Sequence, residues 1–177
     1  VFLLDKNNNW IEKRLIKFIT KLPKKYKYLV TKKTANIKNK IIFVISYTKI
    51  LKKDFLKKNK EVLIIHPSNL PKDRGFSPVQ NQILRKKNKI FVTIIRAVKK
   101  VDEGPICIQD TFNLKGHEIY DEIRDKQSTA IFKIVKKYLK KYPNIKFVNQ
   151  KGKVTFNKRR SFNDNELNIN KSIKSQF

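Results

Sequence analysis

His66 follows a run of four apolar residues, Val62-Leu63-Ile64-Ile65, which is typical of a buried β-strand. In open α/β sheets, ligands bind beyond the carboxyl ends of the strands, so an imidazole at this position could move a proton or bind a ligand. Lys72 and Arg74 place two cations in the loop that follows. A histidine that is only hydrogen-bonded at the end of a strand would produce the same pattern.

Asp102 and Glu103 fall in a predicted turn between two strands, immediately before Gly104, which permits unusual backbone angles. Acidic residues in turns are commonly solvated and have no further role. A carboxylate can instead hold an imidazole in one tautomer and stabilise its charged form. The spacing in the sequence leaves both interpretations of Asp102 open.

The elements that must position these residues are predicted from the hydrophobic pattern. Apolar β-branched runs predict buried strands, and apolar residues at helical spacing predict helices. The predicted strands cover residues 1–4, 28–30, 41–45, 62–65, 90–98 and 106–112, and the predicted helices cover residues 10–22, 54–58, 78–84 and 116–142. Strands separated by helices favour an α/β fold with a mostly parallel, Rossmann-like sheet.

The C-terminal part has a different pattern. Short apolar runs at residues 146–148 and 153–156 predict a terminal hairpin, and a polar tail ending in a helical segment follows. We therefore expect one main domain over residues 1–143, the part that contains His66 and Asp102, and a C-terminal hairpin and tail over residues 144–177. The sequence has no Met and begins inside a predicted strand, so we expect an incomplete N-terminus. The tail stops at Phe177 within an unfinished helical pattern, so we expect that it is truncated.

Composition limits the function classes. The 177 residues include 43 Lys and Arg but 14 Asp and Glu, a net charge of +29 that suits nucleic-acid phosphates. The cations are scattered, however, and abundant Lys, Asn and Ile with scarce Gly are typical of an A/T-biased coding sequence, so much of this charge could be simply solvated. The 40% hydrophobic content excludes a disordered chain, and one cysteine excludes an internal disulfide or a multi-cysteine metal site. Without a signal peptide or an apolar run near the ~20 residues of a membrane span, we expect a soluble, cytoplasmic protein with no membrane partner.

Two segments together carry a resemblance to a known family. HPSNLPKDRGFSPVQNQIL (residues 66–84) and VTIIRAVKKVDEGPICIQD (residues 92–110) resemble the folate-dependent formyltransferases, whose hallmark is a His-Pro-Ser-Leu-Leu-Pro-like loop followed by an Asp-x-Gly turn. The resemblance is closest to the bacterial nucleotide-sugar N-formyltransferases. Residues 116–127 match that branch's GHE(I/L)xDEIRxKQ-like helix, and residues 158–173 are similar to its ending.

The resemblance implies a Rossmann-like formyltransferase fold and direct formyl transfer from 10-formyl-tetrahydrofolate to the primary amine of a nucleotide-linked amino sugar. It implies that His66 faces the developing oxyanion and helps to move the proton, and that Asp102 orients His66 and assists proton removal from the amine. No metal is implied. The family usually has Asn two residues before this histidine, where Ile64 stands here, and Ser68 and Asn69 are nearby candidates for the missing donor.

The resemblance also implies two sets of binding residues. The expected folate-binding residues are Thr48, Lys49, Ile50 and Leu51 on one wall and Val98, Lys99, Lys100 and Val101 on the other. The expected residues for the amine substrate are Asn9, Trp10, Lys72 and Arg74.

Two alternatives remain open. Methionyl-tRNA formyltransferase would suit the positive charge, but it normally has a separate β-barrel C-terminal domain, and only a short tail follows the predicted hairpin. A non-catalytic basic remnant of the fold is the second alternative. The expected partner is a nucleotide-linked amino sugar, with a homodimer as one form of assembly and nucleic acid as a partner only in the alternatives.

Overall fold

The computed structural model describes residues 1–7, 10–161, 163–172 and 175. The strands are β1 (Phe2–Leu4), β2 (Val30–Thr31), β3 (Ile41–Ile45), β4 (Glu61–His66), β5 (Arg74–Gly75), β6 (Lys89–Arg96), β7 (Ile106–Asn113) and β8 (Phe156–Asn157). The helices are α1 (Glu12–Ile19), α2 (Lys53–Lys57), α3 (Pro78–Leu84) and α4 (Tyr120–Lys141), and a 3₁₀ turn covers Asn163–Asn165.

A six-stranded sheet with the order β2-β1-β3-β4-β6-β7 forms the centre of the molecule. The pairs β1–β2, β1–β3 and β3–β4 are parallel, whereas β4–β6 and β6–β7 are antiparallel. The short loop over residues 97–105 joins β6 to β7, and such a loop cannot make the crossover that a parallel pair requires. The α/β, Rossmann-like prediction is confirmed, with an antiparallel edge on the parallel sheet.

The sheet is covered on both faces because consecutive side chains alternate between two cores. Phe2 and Leu4 pack with Tyr138 and Leu15 under α1 and α4. Leu3, between them, packs on the opposite face in the cluster that contains Phe55 of α2. Burial of each such side chain contributes about 1.5–3 kcal/mol, so the strand ends are firmly held.

Helix α4 begins at Tyr120, later than the predicted start at residue 116. The Glu118 carboxylate accepts hydrogen bonds from the backbone N–H groups of Lys115 and Gly116, which fixes these residues in a turn. Glu122 then accepts a hydrogen bond from the Ile119 N–H at 3.0 Å and caps the helix. Local side-chain bonds therefore move the helix start beyond the limit that the hydrophobic pattern indicates.

The predicted C-terminal hairpin is wrong. Val148 exchanges two backbone hydrogen bonds of 2.8 Å with Ile106, and β8 pairs in parallel with β5 in a separate two-stranded sheet. The two apolar runs thus satisfy their backbone groups on earlier segments rather than on each other. The predicted helical end of the tail includes residues 173, 174, 176 and 177, which lie outside the described residues.

Among the helices of the described part of the chain, none has the length and apolar character that crossing a membrane requires.

Candidate active site

A cavity of about 470 Å³ opens beyond the carboxyl ends of β3 and β4. The loops that follow these strands, the β6–β7 loop and one flank of α4 enclose it. Its volume lies within the range of about 300–1,000 Å³ that is usual for small-molecule sites. His66 and Asp102 both line it.

His66 is the last residue of β4, and its side chain is only 7% exposed. Its Nδ1 atom lies 3.5 Å from Oδ2 of Asp102, and its Nε2 atom lies 2.7 Å from the backbone carbonyl oxygen of Asp73. A backbone carbonyl can only accept a hydrogen bond, so the contact with Asp73 places a proton on Nε2 of His66. The Asp102 carboxylate faces the other ring nitrogen, so the imidazole lies between two acceptor groups.

Asp102 is held in a demanding turn. Its φ of +53° lies in the left-handed region, which is sparsely populated for residues other than glycine. Its Oδ2 atom accepts a hydrogen bond of 2.9 Å from the Gly75 N–H, so the carboxylate is fixed between two loops. At Gly104, a Cβ atom would lie 1.6 Å from the Arg96 carbonyl oxygen, so glycine is required for the turn to close.

The loop after His66 is anchored by buried polar contacts of Asp73. Arg85 pairs with the Asp73 carboxylate, and the Thr155 hydroxyl accepts a hydrogen bond of 2.8 Å from the Asp73 N–H. Asn157 contacts the same carboxylate at 3.4 Å. Because the Asp73 carbonyl accepts from His66, these contacts also fix the position of the imidazole.

The two predicted folate walls lie on opposite loops of this cavity. The residues concerned, all of which line the cavity, are Thr48, Lys49, Ile50, Leu51, Val98, Lys99, Lys100 and Val101. The structure therefore brings both walls together with His66 and Asp102.

Asp5 anchors the first of these walls and was missed as a site residue by sequence reasoning. Its carboxylate accepts hydrogen bonds from the Thr48 hydroxyl, the Thr48 N–H and the Asn7 N–H. Burial alone would raise the pKa of Asp5, but these hydrogen bonds hold the pKa below its usual value. In the sequence, Asp5 stands at the start of a polar turn segment, which does not indicate a role in the cavity.

The predicted amine-substrate residues are divided. Trp10 lines the cavity, with the Arg124 guanidinium 4.5 Å from its ring centroid. Asn9 lies outside the described residues. Lys72 is exposed and Arg74 pairs with Glu103 at 3.1 Å, and both lie outside the described lining of the cavity. Arg74 is instead bound by Gln150 and Glu103, although the next residue, Gly75, lines the cavity.

Three arginines that were not predicted as site residues line the cavity instead, namely Arg124, Arg159 and Arg160. Arg159 also lies over the Phe76 ring, 5.7 Å from its centroid. The consecutive cations of residues 158–160 were the available signal, but their place in the fold depends on the pairing of β8 with β5.

The two candidates for the missing oxyanion donor, Ser68 and Asn69, are bound elsewhere. Ile64 lines the cavity, whereas Ser68 and Asn69 lie outside its described lining. The Ser68 hydroxyl donates to the Lys72 carbonyl at 2.9 Å, and Asn69 accepts a hydrogen bond from Gln109. Neither candidate therefore points to the space beside His66.

Cys107 lies outside the described lining of the cavity. Burial raises the pKa of the Cys107 thiol to about 12, so the sulfur stays protonated at neutral pH. Within the described ranges, no group of three His, Cys, Asp or Glu side chains is placed to hold a metal ion.

The fold and the site define an α/β protein with a buried His–Asp pair in a ligand cavity at the carboxyl edge of its sheet. Residues 6–139 match the family described as formyl transferase, and the chain belongs to that family. The predicted resemblance to formyltransferases is thereby confirmed.

Two curated relatives are named methionyl-tRNA formyltransferase. The protein from Thermosipho melanesiensis is 30% identical over 151 residues, which cover 85% of this chain and 49% of the relative. The protein from Thermotoga neapolitana is 37% identical over 105 residues, which cover 59% of this chain and 34% of the relative. The chain thus matches between about a third and a half of the length of these relatives.

Solved structures share the fold. A methionyl-tRNA formyltransferase from Clostridium thermocellum has a TM-score of 0.82 and 21% identity, with 98% of this chain and 78% of that chain covered. An N-formyltransferase from Helicobacter canadensis, in complex with folinic acid and dTDP-3-aminofucose, has a TM-score of 0.68 and 16% identity, with 97% and 76% covered. Both tRNA and sugar formyltransferases therefore have this architecture.

Proposed function

We propose that the chain transfers a formyl group from 10-formyl-tetrahydrofolate to a primary amine. The observation that carries this proposal is the 3.5 Å approach of His66 Nδ1 to Asp102 Oδ2 inside one cavity, in a chain of the formyl transferase family. A buried imidazole with a carboxylate partner is well suited to proton transfer at a carbonyl.

The chemistry follows from that pair. The amine nitrogen attacks the formyl carbon, a C–N bond forms, and the carbonyl oxygen becomes an oxyanion. His66 exchanges the Asp73 carbonyl for this oxyanion and stabilises its charge, a contribution of ~3 kcal/mol for a well-placed donor. Asp102 assists removal of the proton from the attacking nitrogen. The bond between the formyl carbon and N10 then breaks, and N10 of tetrahydrofolate takes the electron pair and a proton.

The cosubstrate site is supported by the two walls that converge on His66. The two walls combine four apolar side chains, which suit a flat pteridine ring, with one threonine and three lysines. The neighbour from Helicobacter canadensis was solved with folinic acid, a formylated folate, which supports the same class of cosubstrate here.

The amine that we propose is a nucleotide-linked amino sugar. Residues 116–127 and 158–173 carry the resemblance to that branch, and both segments contribute to the cavity through Arg124, Arg159 and Arg160. Guanidinium groups bind phosphate oxygens with charge-assisted hydrogen bonds, so these arginines suit a diphosphate. The dTDP-sugar in the Helicobacter canadensis complex supports this substrate class.

Methionyl-tRNA is the second candidate substrate, because the relatives from Thermosipho melanesiensis and Thermotoga neapolitana are named methionyl-tRNA formyltransferase. The net charge of +29 would favour binding to a polyanion and would make that binding strongly salt-dependent. A non-catalytic basic remnant of the fold is the third candidate, and it predicts binding without transfer.

The test supplies the purified chain with 10-formyl-tetrahydrofolate and, separately, dTDP-amino sugars, UDP-amino sugars and methionyl-tRNA. Product mass is followed, and each reaction is repeated without the folate. A formyl mass gain on a nucleotide sugar supports the first proposal, and a gain only on methionyl-tRNA would replace it with the second. A folded chain that formylates none of them would contradict the catalytic proposal and favour the binding remnant.

A further inference from the structure

Gln150 connects the segment after α4 to the turn that carries Asp102. Its amide Nε2 donates hydrogen bonds to the Asp102 carbonyl at 2.7 Å and to the Gly104 carbonyl at 2.8 Å. The side chain thus spans the turn and holds both of its ends. The sequence placed Gln150 in the connection between the two strands of the predicted hairpin, which does not form.

The orientation of this amide is fixed by a cation. Nη2 of Arg74 donates to Gln150 Oε1 at 2.8 Å, and Nη1 of Arg74 pairs with Glu103 at 3.1 Å. The Arg74 side chain is only 11% exposed. Since a guanidinium can donate but not accept, the oxygen of the amide faces Arg74, and its NH₂ group faces the turn.

The turn requires such an external anchor. Asp102 has a left-handed backbone conformation, and the carbonyls of Asp102 and Gly104 both end on the Gln150 amide. A small rotation of this turn would move the Asp102 carboxylate away from His66 Nδ1, which is already 3.5 Å distant. The carboxylate has a second contact at the Gly75 N–H, but that contact fixes the side chain and not the backbone.

We propose that Gln150 is a positioning residue that holds the Asp102 carboxylate in register with His66. The inference rests on the proposed function, because it deepens the role of the same His–Asp pair. Gln150 lies outside the described lining of the cavity, so it acts through Asp102 and not on the substrate.

The test uses the two histidines of the chain, His66 and His117, labelled with ¹⁵N in their rings. The ring nitrogen resonances are recorded for the native chain and for Gln150→Leu, Asp102→Asn and Asn149→Leu. Asn149 is the exposed neighbour and serves as the matched control. Gln150→Glu is a second variant that retains the contact with Arg74 but loses both donated hydrogen bonds.

We expect the His66 resonances to move in Gln150→Leu in the same direction as in Asp102→Asn, with His117 unchanged and Asn149→Leu like the native chain. In the transfer assay, we expect kcat to fall about 10-fold with KM for the folate within about twofold, a typical effect for a group that orients a catalytic side chain. In the Asp102→Asn background, Gln150→Leu should change kcat by less than about twofold, because the two changes act through one carboxylate.

His66 resonances at their native positions in folded Gln150→Leu and Gln150→Glu would overturn the proposal. Additive losses of kcat in the double variant would also overturn it, because they indicate a general structural role. If the native chain transfers no formyl group, the resonances still decide whether Gln150 positions Asp102, and only the proposed function fails.

Discussion

The two sides of the cavity are built in different ways. The catalytic wall, defined as His66 and Asp102, has side chains that are 7% and 8% exposed and fixed by several hydrogen bonds. The basic wall, defined as Arg124, Arg159 and Arg160, has long, partly or fully exposed side chains on α4 and the C-terminal segment. Under the proposed function, the buried and fixed pair suits proton transfer, which requires a defined geometry, and the more exposed guanidinium groups suit phosphate binding.

The largest effect should come from the catalytic wall. We expect Asp102→Asn to lower kcat by about 10²–10³-fold, because the carboxylate that faces the imidazole and, in the proposed function, assists proton removal is lost. Folate affinity should change little, as measured by the fluorescence of Trp10, the single tryptophan and a cavity residue. Asp54→Asn, the same change at an exposed position on α2, serves as the control. Equal losses of kcat in Asp102→Asn and Asp54→Asn would contradict a specific role for Asp102 in the reaction.

Changes on the basic wall should appear in KM. We expect Arg159→Gln to raise KM for the nucleotide sugar about 10-fold with little effect on kcat, since one charged hydrogen-bond donor to phosphate is lost. The difference should shrink as salt screens the charge. Lys72→Gln removes the same charge from the exposed outer side of the loop and should leave KM unchanged. A larger effect at Lys72 would support the sequence prediction that Lys72 and Arg74 bind the amine substrate.

Asp5, behind the first folate wall, should affect stability and folate binding together. We expect Asp5→Asn to lower the free energy of unfolding at pH 7 by about 1 kcal/mol and to raise KM for the folate, because hydrogen bonds to a charged group are lost. The pKa of Asp5 is depressed in the folded chain, so its contribution is present above the unfolded pKa and is lost as pH falls through the folded pKa. Urea unfolding of both proteins at pH 7 and at acid pH measures this, and an undiminished difference in acid would contradict it.

The smallest effect should come from Asp110 on β7, which lies away from both walls. Hydrogen bonding to Lys137 and Lys133 lowers the pKa of Asp110 to about 2. We expect Asp110→Asn to reduce stability at pH 7 by less than about 1 kcal/mol, because the lysines are largely solvated. The difference should vanish as pH falls from about 4 toward 2, and kcat should stay unchanged. A lower kcat in Asp110→Asn would show that residues outside the two walls also contribute to the reaction.

The sheet was largely predictable because its strands are continuous apolar runs. β3 has the predicted bounds, residues 41–45, and α3 has the predicted bounds, residues 78–84. The start of α4 was missed because Glu118 fixes a turn that hydrophobic spacing does not reveal. The hairpin was wrong because two adjacent apolar runs indicate strands but not their partners.

The sequence indicated which residues belong to the candidate site but not which of them are in contact. His66 and Asp102 stand out in the sequence, yet the contact between them depends on the antiparallel pairing of β4 with β6. Arg159 and Arg160 reach the cavity only because β8 pairs with β5. Long-range pairings of this kind leave little trace in local spacing, so the sequence did not indicate that Arg159 and Arg160 line the cavity.

The most direct test of the account compares His66→Ala with His117→Ala, an exposed histidine that serves as the matched control. Each variant is mixed with 10-formyl-tetrahydrofolate and the accepted amine, and product mass and Trp10 fluorescence are recorded in the same sample. We predict that His66→Ala retains the fluorescence change on folate binding but forms no formylated product, while His117→Ala resembles the native chain. Undiminished transfer by His66→Ala would contradict the account, because the chemistry would then lie outside the His66–Asp102 pair.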